Sequence, residues 1–353
     1  MSSALLRQPS GLAVICLVEF CERFAGFLLS SLLVLYLSDR WQLSDGDAAR
    51  AAGYWQALGY LAAIGGGLLA DRIGYRRSVV SGLVALVIGL ALLSLESRTG
   101  SLLAAALLIV GNGLFKPAVT ALLSAIYLPG DPRLSSGFGW FYLTVNLAGF
   151  AAPIIGGLLR TQFGWANAFA TATAAALLGL LSLLIGGSAV RTTTTHIDSM
   201  EPAHNRNSKG PRLLALIGVM LALAMLGLAF SQSAGTLLLW ARDHTRRNLG
   251  PYKIPPDLFA AVPSLIVMIV TPALSAFWRA LRRHSKDPSD PSKLLLGLII
   301  MASGYGVMVL AALTHNGRPV SPLWLIGGKL GLTLGEMIVL PSGLTLAATL
   351  VPP

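Results

Sequence analysis

Charged residues are scarce in this sequence. Asp, Glu, Lys and Arg make up 12% of its 353 residues, which is about half the share that is typical of soluble domains. Hydrophobic residues make up 54%, and the mean hydropathy is +0.70. This shortage of charge excludes an ordinary soluble enzyme and predicts a protein that is embedded in a lipid bilayer.

Cysteine is also scarce, and acidic residues are outnumbered by basic ones. The two cysteines, Cys16 and Cys21, lie in one apolar run, where they face different sides of a helix and cannot form a disulfide with each other. The pI is about 10.1, but the basic residues lie in short segments between apolar runs and form no continuous stripe. We therefore expect no nucleic-acid partner.

Long apolar runs take up most of the chain. A helix needs about 20 apolar residues to cross the hydrocarbon core, and none of these runs alternates with the period of a β-strand. We count ten: 11–37, 50–70, 77–95, 101–122, 137–160, 164–187, 213–240, 258–280, 294–314 and 322–350. The expected fold class is an all-α, multi-pass membrane protein.

The polar stretch RTTTTHIDSMEPAHNRNSKGPR, residues 191–212, divides these runs into six and four. It predicts a six-helix bundle over 1–190, a cytoplasmic linker over 191–212 and a second bundle over 213–353. Lys and Arg are more frequent in the segments that lie on the same side of the membrane as the N-terminus. This bias predicts a cytoplasmic N-terminus in a cell membrane.

Ionisable residues inside the apolar runs are few, and charge within a bilayer is costly and usually functional. They are Glu19, Glu22, Arg23, Lys116, Lys329 and Glu336. The first three fall within about 100° of one helix face, where a single cation meets two carboxylates. One proton would neutralise the remaining charge, which predicts proton coupling, and the alternative is an ion cluster that only fixes helix packing.

The apolar runs contain no serine–histidine pair, no paired aspartates and no set of metal ligands. We therefore expect neither an enzyme nor a metal site. The expected cofactor list is empty apart from a coupling proton.

Six stretches of the sequence resemble the motifs of one family, in the family's order. They are EFCERF (19–24), GGLLADRIGYRR (66–77), GNGLFKPAVTAL (111–122), YLPGDPRLSSGFGWFYLTVNLAGFAAP (127–153), FSQSAGTLLLWARDHT (230–245) and SPLWLIGGKLGLTLGEMIVLPSGL (321–344). They resemble the proton-coupled oligopeptide transporters of the major facilitator superfamily. GNGLFK also looks like part of a dinucleotide fingerprint, but it lies inside an apolar run with no strand before it.

The resemblance implies a fold and a function. The fold would be a six-helix N-terminal bundle with a C-terminal bundle of four helices, incomplete because the sequence ends at LVPP, where the family's loop to an eleventh helix begins. We therefore expect a truncated or degenerate family member. The implied function is proton-driven symport of di- and tripeptides by alternating access, by a monomer in the bilayer. The alternatives are a transporter of another small solute and a non-transporting remnant or sensor.

The resemblance also implies roles for single residues. Lys116 would bind the carboxylate of the peptide, with snorkelling to the membrane surface as the alternative. Glu336 would hold the amino terminus of the peptide or pair with Lys116. Tyr60 and Asn146 would contact the peptide backbone, unless they only bond a neighbouring helix.

The loop after the second run contains Asp71, Arg72, Arg76 and Arg77. It resembles the family's gating loop, which packs the cytoplasmic ends of the helices. A generic positively charged loop would explain the arginines but not Asp71.

The sequence departs from the family at several positions. Gly26 replaces an aromatic residue, Ser30 an arginine, Ala118 an asparagine and Ser231 a glutamate. The lost arginine and glutamate are partners in the family, so their joint loss leaves no orphan charge. Lys329 stands where the family usually has an aromatic residue, and it either replaces the missing cation or, as we expect, snorkels to the outer surface.

Overall fold

The computed structural model describes residues 8–128, 130–190, 209–285 and 287–350. Its helices are α1 (Ser10–Trp41), α2 (Asp45–Ile73), α3 (Tyr75–Ser94), α4 (Arg98–Ala125), α5 (Arg133–Phe163), α6 (Trp165–Gly186), α7 (Lys209–Ser231), α8 (Thr236–Asp243), α9 (Val262–Arg283), α10 (Asp290–Thr314) and α11 (Pro322–Leu350). Two short strands, β1 (Asn248–Leu249) and β2 (Tyr252–Lys253), form a hairpin before the 3₁₀ helix Pro256–Ala261. The predicted all-α membrane fold is confirmed.

Eight helical segments of the described chain are long and apolar enough to cross a membrane. Helices α1 and α2, with 32 and 29 residues, are also long enough for the hydrocarbon core, but they are more polar than the other eight. The charges of α1 and the many polar and small residues of α2 lower their apolar character. The ten predicted runs therefore correspond to helices, two of which are too polar to be recognised by apolar composition.

The chain forms two compact units, Met1–Thr195 and His196–Pro353. The boundary falls within the predicted linker, whose residues 191–208 lie outside the described part of the chain. Helix α7 already begins at Lys209, inside the stretch that was predicted to be linker.

In the first unit, α1 packs against α5 and α6, and α4 packs against both α2 and α3. The contact of α2 with α4 depends on glycine, because a Cβ on Gly66 would collide with the backbone carbonyl of Gly113. Pro117 lies one turn after Gly113 and has no N–H to bond that carbonyl. The carbonyl of Gly113 therefore has no intrahelical donor and faces α2, where only a glycine such as Gly66 leaves room for it. This contact fixes the segment of α4 that contains Lys116.

In the second unit, α11 is the central helix and packs against α7, α9 and α10. Glycines again allow close approach, since a Cβ on Gly304 of α10 would lie 2.7 Å from the carbonyl oxygen of Gly328 on α11. The buried hydrophobic cluster of this unit includes Leu226, Leu325 and Leu332.

The predicted continuous helix over 213–240 is wrong. Helix α7 ends at Ser231, a turn covers 232–235, and α8 starts at Thr236. Residues 232–235 are Gln, Ser, Ala and Gly. Of these, Ser233 can compete for backbone hydrogen bonds and Gly235 favours turns. The membrane-crossing segment Leu214–Asp243 therefore contains a break in its helical backbone.

Candidate functional site

The carboxylates of Glu19 and Glu22 lie on α1 on either side of the Arg23 guanidinium. Arg23 Nε donates a hydrogen bond of 2.7 Å to Glu19 Oε1, and Glu22 Oε2 lies 3.0 Å from the same nitrogen. Both glutamates are 2% exposed. The spacing predicted from the sequence is confirmed, because side chains three and four residues apart share one helix face.

Two carboxylates share one cation within α1, so these three residues alone have a net charge of −1 until one of the carboxylates binds a proton. The ammonium of Lys116 on α4 also interacts electrostatically with both carboxylates. Glu19 Oε2 has no hydrogen-bond partner among the described residues, and Glu22 Oε2 faces Arg23 without hydrogen-bond geometry. A buried carboxylate oxygen without a donor is destabilised. The cluster is therefore built to accept one proton. Its role in proton coupling stays a prediction.

Lys116 lies on α4, directly before Pro117. Its Nζ is 5.9 Å from the centre of the Tyr60 ring, which belongs to α2. No hydrogen bond or ion pair occupies the ammonium within the described residues of its unit. The structure thus brings two of the predicted substrate residues together, and it leaves the cation available for an anionic group.

Asn146 lies on α5 and is 8% exposed. Its Nδ2 donates a 2.9 Å hydrogen bond to the carbonyl of Tyr142 on the same helix. Among the described residues the amide therefore bonds its own helix. Contact of Asn146 with a peptide backbone stays a prediction.

The predicted gating loop lies at the joint between α2 and α3. A single residue, Gly74, connects the two helices with φ of 93°, a conformation that side chains disfavour. Asp71 accepts a 3.3 Å hydrogen bond from the hydroxyl of Tyr75, and Asp71 and the arginines of the loop are exposed. The joint is therefore tight, with its charged groups in solvent.

Arg76 extends from the start of α3 to the end of α6. Its guanidinium lies so close to Gly187 that a Cβ there would collide with Nη2. The C-terminus of a helix has partial negative charge, so Arg76 stabilises it. Arg72 and Arg77 are exposed, and they belong to the predicted loop on sequence grounds alone. The gating function of the loop stays a prediction.

In the second unit, Glu336 lies on the central helix α11 and is partly buried. No hydrogen bond or ion pair links it to a described residue of that unit. Thr333, three residues earlier, is fully buried, and its hydroxyl has no partner among the described residues. Helix α11 thus presents two polar groups with unused hydrogen-bonding capacity in neighbouring turns.

The expectation that Lys329 snorkels to the outer surface is wrong. Lys329 is 1% exposed, and its Nζ donates to Ser233 Oγ at 2.5 Å and to the Ser233 carbonyl at 3.3 Å. Ser233 lies in the break between α7 and α8. The sequence of α11 alone does not show that the polar break between α7 and α8 faces Lys329.

The departures from the family pattern leave small or neutral groups. Gly26 has no atom within 4 Å of the place where a Cβ would stand, so the missing aromatic ring leaves open space. Ser231 bonds the carbonyl of Leu228 in its own helix at 2.7 Å. Ala118 is fully buried in α4.

A sequence profile of the Major Facilitator Superfamily matches residues 15–353. The peptide transporter YePEPT of Yersinia enterocolitica is 27% identical to this chain over 98% of the chain and 82% of the relative. The dipeptide and tripeptide permease A of Escherichia coli is 25% identical, over 98% of the chain and 79% of the relative.

Solved structures agree with these matches. A crystal structure of the peptide transporter POT in complex with sulfate has a TM-score of 0.87 at 23% identity, over 98% of this chain and 83% of that one. A POT family transporter in complex with 5-aminolevulinic acid has a TM-score of 0.86 at 22% identity, over 98% and 85%. At these identities the likeness concerns the fold alone. Because the superfamily profile covers almost the whole sequence, the chain belongs to the Major Facilitator Superfamily, and the named relatives that it matches there are peptide transporters.

Proposed function

We propose that the protein is a proton-coupled symporter of di- and tripeptides that works by alternating access. The observation that carries this proposal is the buried cluster on α1, in which Glu19 and Glu22 share the single guanidinium of Arg23. The names of the relatives, a peptide transporter and a dipeptide and tripeptide permease, support the choice of substrate.

Proton coupling follows from the charge of the cluster. In the deprotonated state one negative charge is left over in a site from which water is largely excluded, and such a charge is costly. When Glu19 or Glu22 binds a proton, the cluster becomes neutral. A conformational change that carries the cluster across the barrier is then easier with the proton bound than without it, which is the condition for symport.

Substrate recognition would use the two ionisable residues outside the cluster that match the family motifs. The ammonium of Lys116 lies over the Tyr60 ring and forms no hydrogen bond or ion pair with a described residue of its unit, which suits the carboxylate of a peptide. Glu336 has no partner in its own unit, which suits an amino terminus. A hydrogen bond to a charged group contributes about 1.5–3 kcal/mol, so each end of the peptide adds substantially to binding. Tyr60 and Asn146 would contact the peptide backbone.

The proposed setting is a cell membrane, with the N-terminus in the cytoplasm and the protein acting as a monomer. The bias of Lys and Arg toward one side supports this orientation. In this orientation the joint at Gly74 faces the cytoplasm, where Asp71, Arg72, Arg76 and Arg77 would form the gating loop.

The test is uptake of radiolabelled Ala-Ala into proteoliposomes that hold the purified chain, with an imposed proton gradient that is acidic outside. We expect accumulation that stops when a protonophore dissipates the gradient. Accumulation that is indifferent to the protonophore would argue against proton coupling, and absence of any saturable uptake would argue against peptide transport.

A second candidate keeps the mechanism but changes the solute. It is favoured by the open space at Gly26 and by the neutral Ser231, both of which remove groups expected to face a peptide. Competition for Ala-Ala uptake by single amino acids and small organic acids would separate the two. Stronger competition by one of these than by tripeptides would favour the second candidate.

A further inference from the structure

The break between α7 and α8, together with Lys329, has the composition of an anion site. We propose that it binds a carboxylate on the side chain of the transported peptide, so that the protein prefers peptides with an acidic side chain. The inference rests on the proposed function for the identity of the solute. The inference goes beyond the proposed function because it assigns a role to Lys329, Ser233 and Thr333.

The first support is the charge of Lys329. No described carboxylate lies within ion-pair distance of its ammonium, and only the neutral Ser233 bonds it. Glu336 is seven residues further along α11, which is about 10.5 Å at 1.5 Å per residue. A buried ammonium without a counter-ion is destabilised relative to the neutral amine, so an anion that enters the site would stabilise the charged form of Lys329.

The second support is a surplus of donors. The Lys329 ammonium has three N–H groups, and two of them are used by the oxygens of Ser233. Because Ser233 Oγ accepts from Lys329, its own hydroxyl hydrogen is left to donate, and it has no acceptor among the described residues. Thr333 lies one turn from Lys329 on the same face, fully buried, and its hydroxyl has no partner among the described residues. The third N–H group of Lys329 and the hydroxyl groups of Ser233 and Thr333 are thus three donors without acceptors among the described residues. A ligand group that only accepts hydrogen bonds would satisfy them.

The third support is the position of the break. Helix α8 begins at Thr236, three residues after Ser233. A helix N-terminus has partial positive charge. The N–H groups of Leu237, Leu238 and Leu239 already bond the carbonyls of Gln232 and Gly235, so this end would contribute the field of its dipole and not free donors. The helix end, the ammonium and the hydroxyls therefore have the same preference for negative charge.

A carboxylate fits this set better than a neutral amide. A carboxylate only accepts hydrogen bonds, whereas an amide of the same shape would bring an NH₂ group toward an ammonium. Since Lys329 is 1% exposed, the site is closed in this conformation. Entry of a carboxylate requires the contacts around the ammonium to open, which alternating access provides.

The experiment compares Ala-Glu with Ala-Gln, two peptides of nearly equal shape that differ in side-chain charge. Each competes with radiolabelled Ala-Ala for uptake by the parent and by Lys329→Met, which keeps the length of the side chain and removes its charge. In the parent we expect Ala-Glu to compete about tenfold better than Ala-Gln, in line with a charged hydrogen bond. In Lys329→Met we expect this difference to vanish while competition by Ala-Gln is unchanged.

Two further variants keep the inference testable if Lys329→Met fails to fold. Ser233→Ala and Thr333→Val each remove one donor without adding volume, and each should narrow the Ala-Glu preference. Lys329→Arg should retain a preference. Equal competition by Ala-Glu and Ala-Gln in the parent would overturn the proposed site. A preference for Ala-Glu that is as large in Lys329→Met as in the parent would do so as well, and so would an undiminished preference in both hydroxyl variants.

The failure of transport is distinguishable from the failure of this site. Binding of Ala-Glu and Ala-Gln to the purified protein is measured in parallel by calorimetry. A Lys329-dependent preference in binding without uptake would refute the proposed function and retain the site. Uptake of Ala-Ala without a Lys329-dependent preference for Ala-Glu would retain the proposed function and refute the site.

Discussion

In the first unit a half-buried cation contacts two buried carboxylates of its own helix, whereas in the second the buried cation of α11, Lys329, and its half-buried carboxylate, Glu336, stand apart. Arg23 meets Glu19 and Glu22 within 3.0 Å, while Lys329 meets only the oxygens of Ser233. Under the proposed function, the first arrangement would change its charge by binding a proton. In the second, neither charged group has an ion-pair partner among the described residues of its unit, and the proposal assigns both to groups of a solute.

The two units are alike in how their helices approach one another. Gly66 of α2 faces Gly113 of α4, and Gly304 of α10 faces Gly328 of α11. Small residues allow close packing where the hydrophobic effect gives no drive between helices. The units therefore share a mode of packing and differ in their use of charge.

Removal of one carboxylate from the α1 cluster should have the largest effect. Glu22→Gln makes the cluster neutral without a proton, so uptake driven by a proton gradient should fall to the level of empty vesicles. Counterflow exchange, which needs no net proton movement, should remain. The matched control is Asp47→Asn on the exposed start of α2, and undiminished gradient-driven accumulation by Glu22→Gln would contradict the role of the cluster.

Removal of the free cation in the first unit should have the next largest effect. Lys116→Ala should weaken dipeptide binding about 10- to 100-fold, as expected for one charged hydrogen bond. Binding is measured by calorimetry on the purified protein. In the parent, a dipeptide amidated at its C-terminus should bind as weakly as the unmodified dipeptide binds to the variant, and equal affinity of the parent for both peptides would argue against a carboxylate contact.

Steric substitutions should affect both units alike. Gly66→Ala and Gly304→Ala each place a Cβ against the backbone of the neighbouring helix, and overpacking typically costs about 1–3 kcal/mol. Their controls are Gly65→Ala and Gly306→Ala, since neither glycine has an atom within 4 Å of a Cβ. We expect lower melting temperatures in detergent for the first two only. Equal melting of a variant and its neighbouring control would show that the contact tolerates a methyl group.

The smallest effect is expected at the helix ends of the first unit. Glu96 forms an ion pair with Arg40 at 2.5 Å and accepts a 2.9 Å bond from the N–H of Ala166. Glu96→Ala should cost about 1 kcal/mol, because the pair is partly exposed and the backbone bond adds a modest net contribution. Thermal melting beside Asp47→Ala, whose ion pair is more exposed, should show the larger loss for Glu96→Ala.

The features of the fold and the site that could be predicted from the sequence are those that depend on one helix only. The shared face of Glu19, Glu22 and Arg23 follows from helical periodicity, and the apolar runs follow from the needs of a bilayer. The break at 232–235 was missed because apolar residues continue on both sides, although Ser233 and Gly235 are signals for it. The burial of Lys329 was missed because it depends on what lies opposite α11.

The joint at Gly74 has a mechanical consequence. Helices α2 and α3 both pack on α4 and are tied by a single residue, so the Cα atoms at their ends, Ile73 and Tyr75, can be at most about 7 Å apart. The short connection leaves the adjoining ends of α2 and α3 little freedom to move apart, and both helices contact α4, the helix that contains Lys116. A displacement of α2 must therefore pull α3 with it, and a spin label or fluorophore on either helix would follow the movement of both.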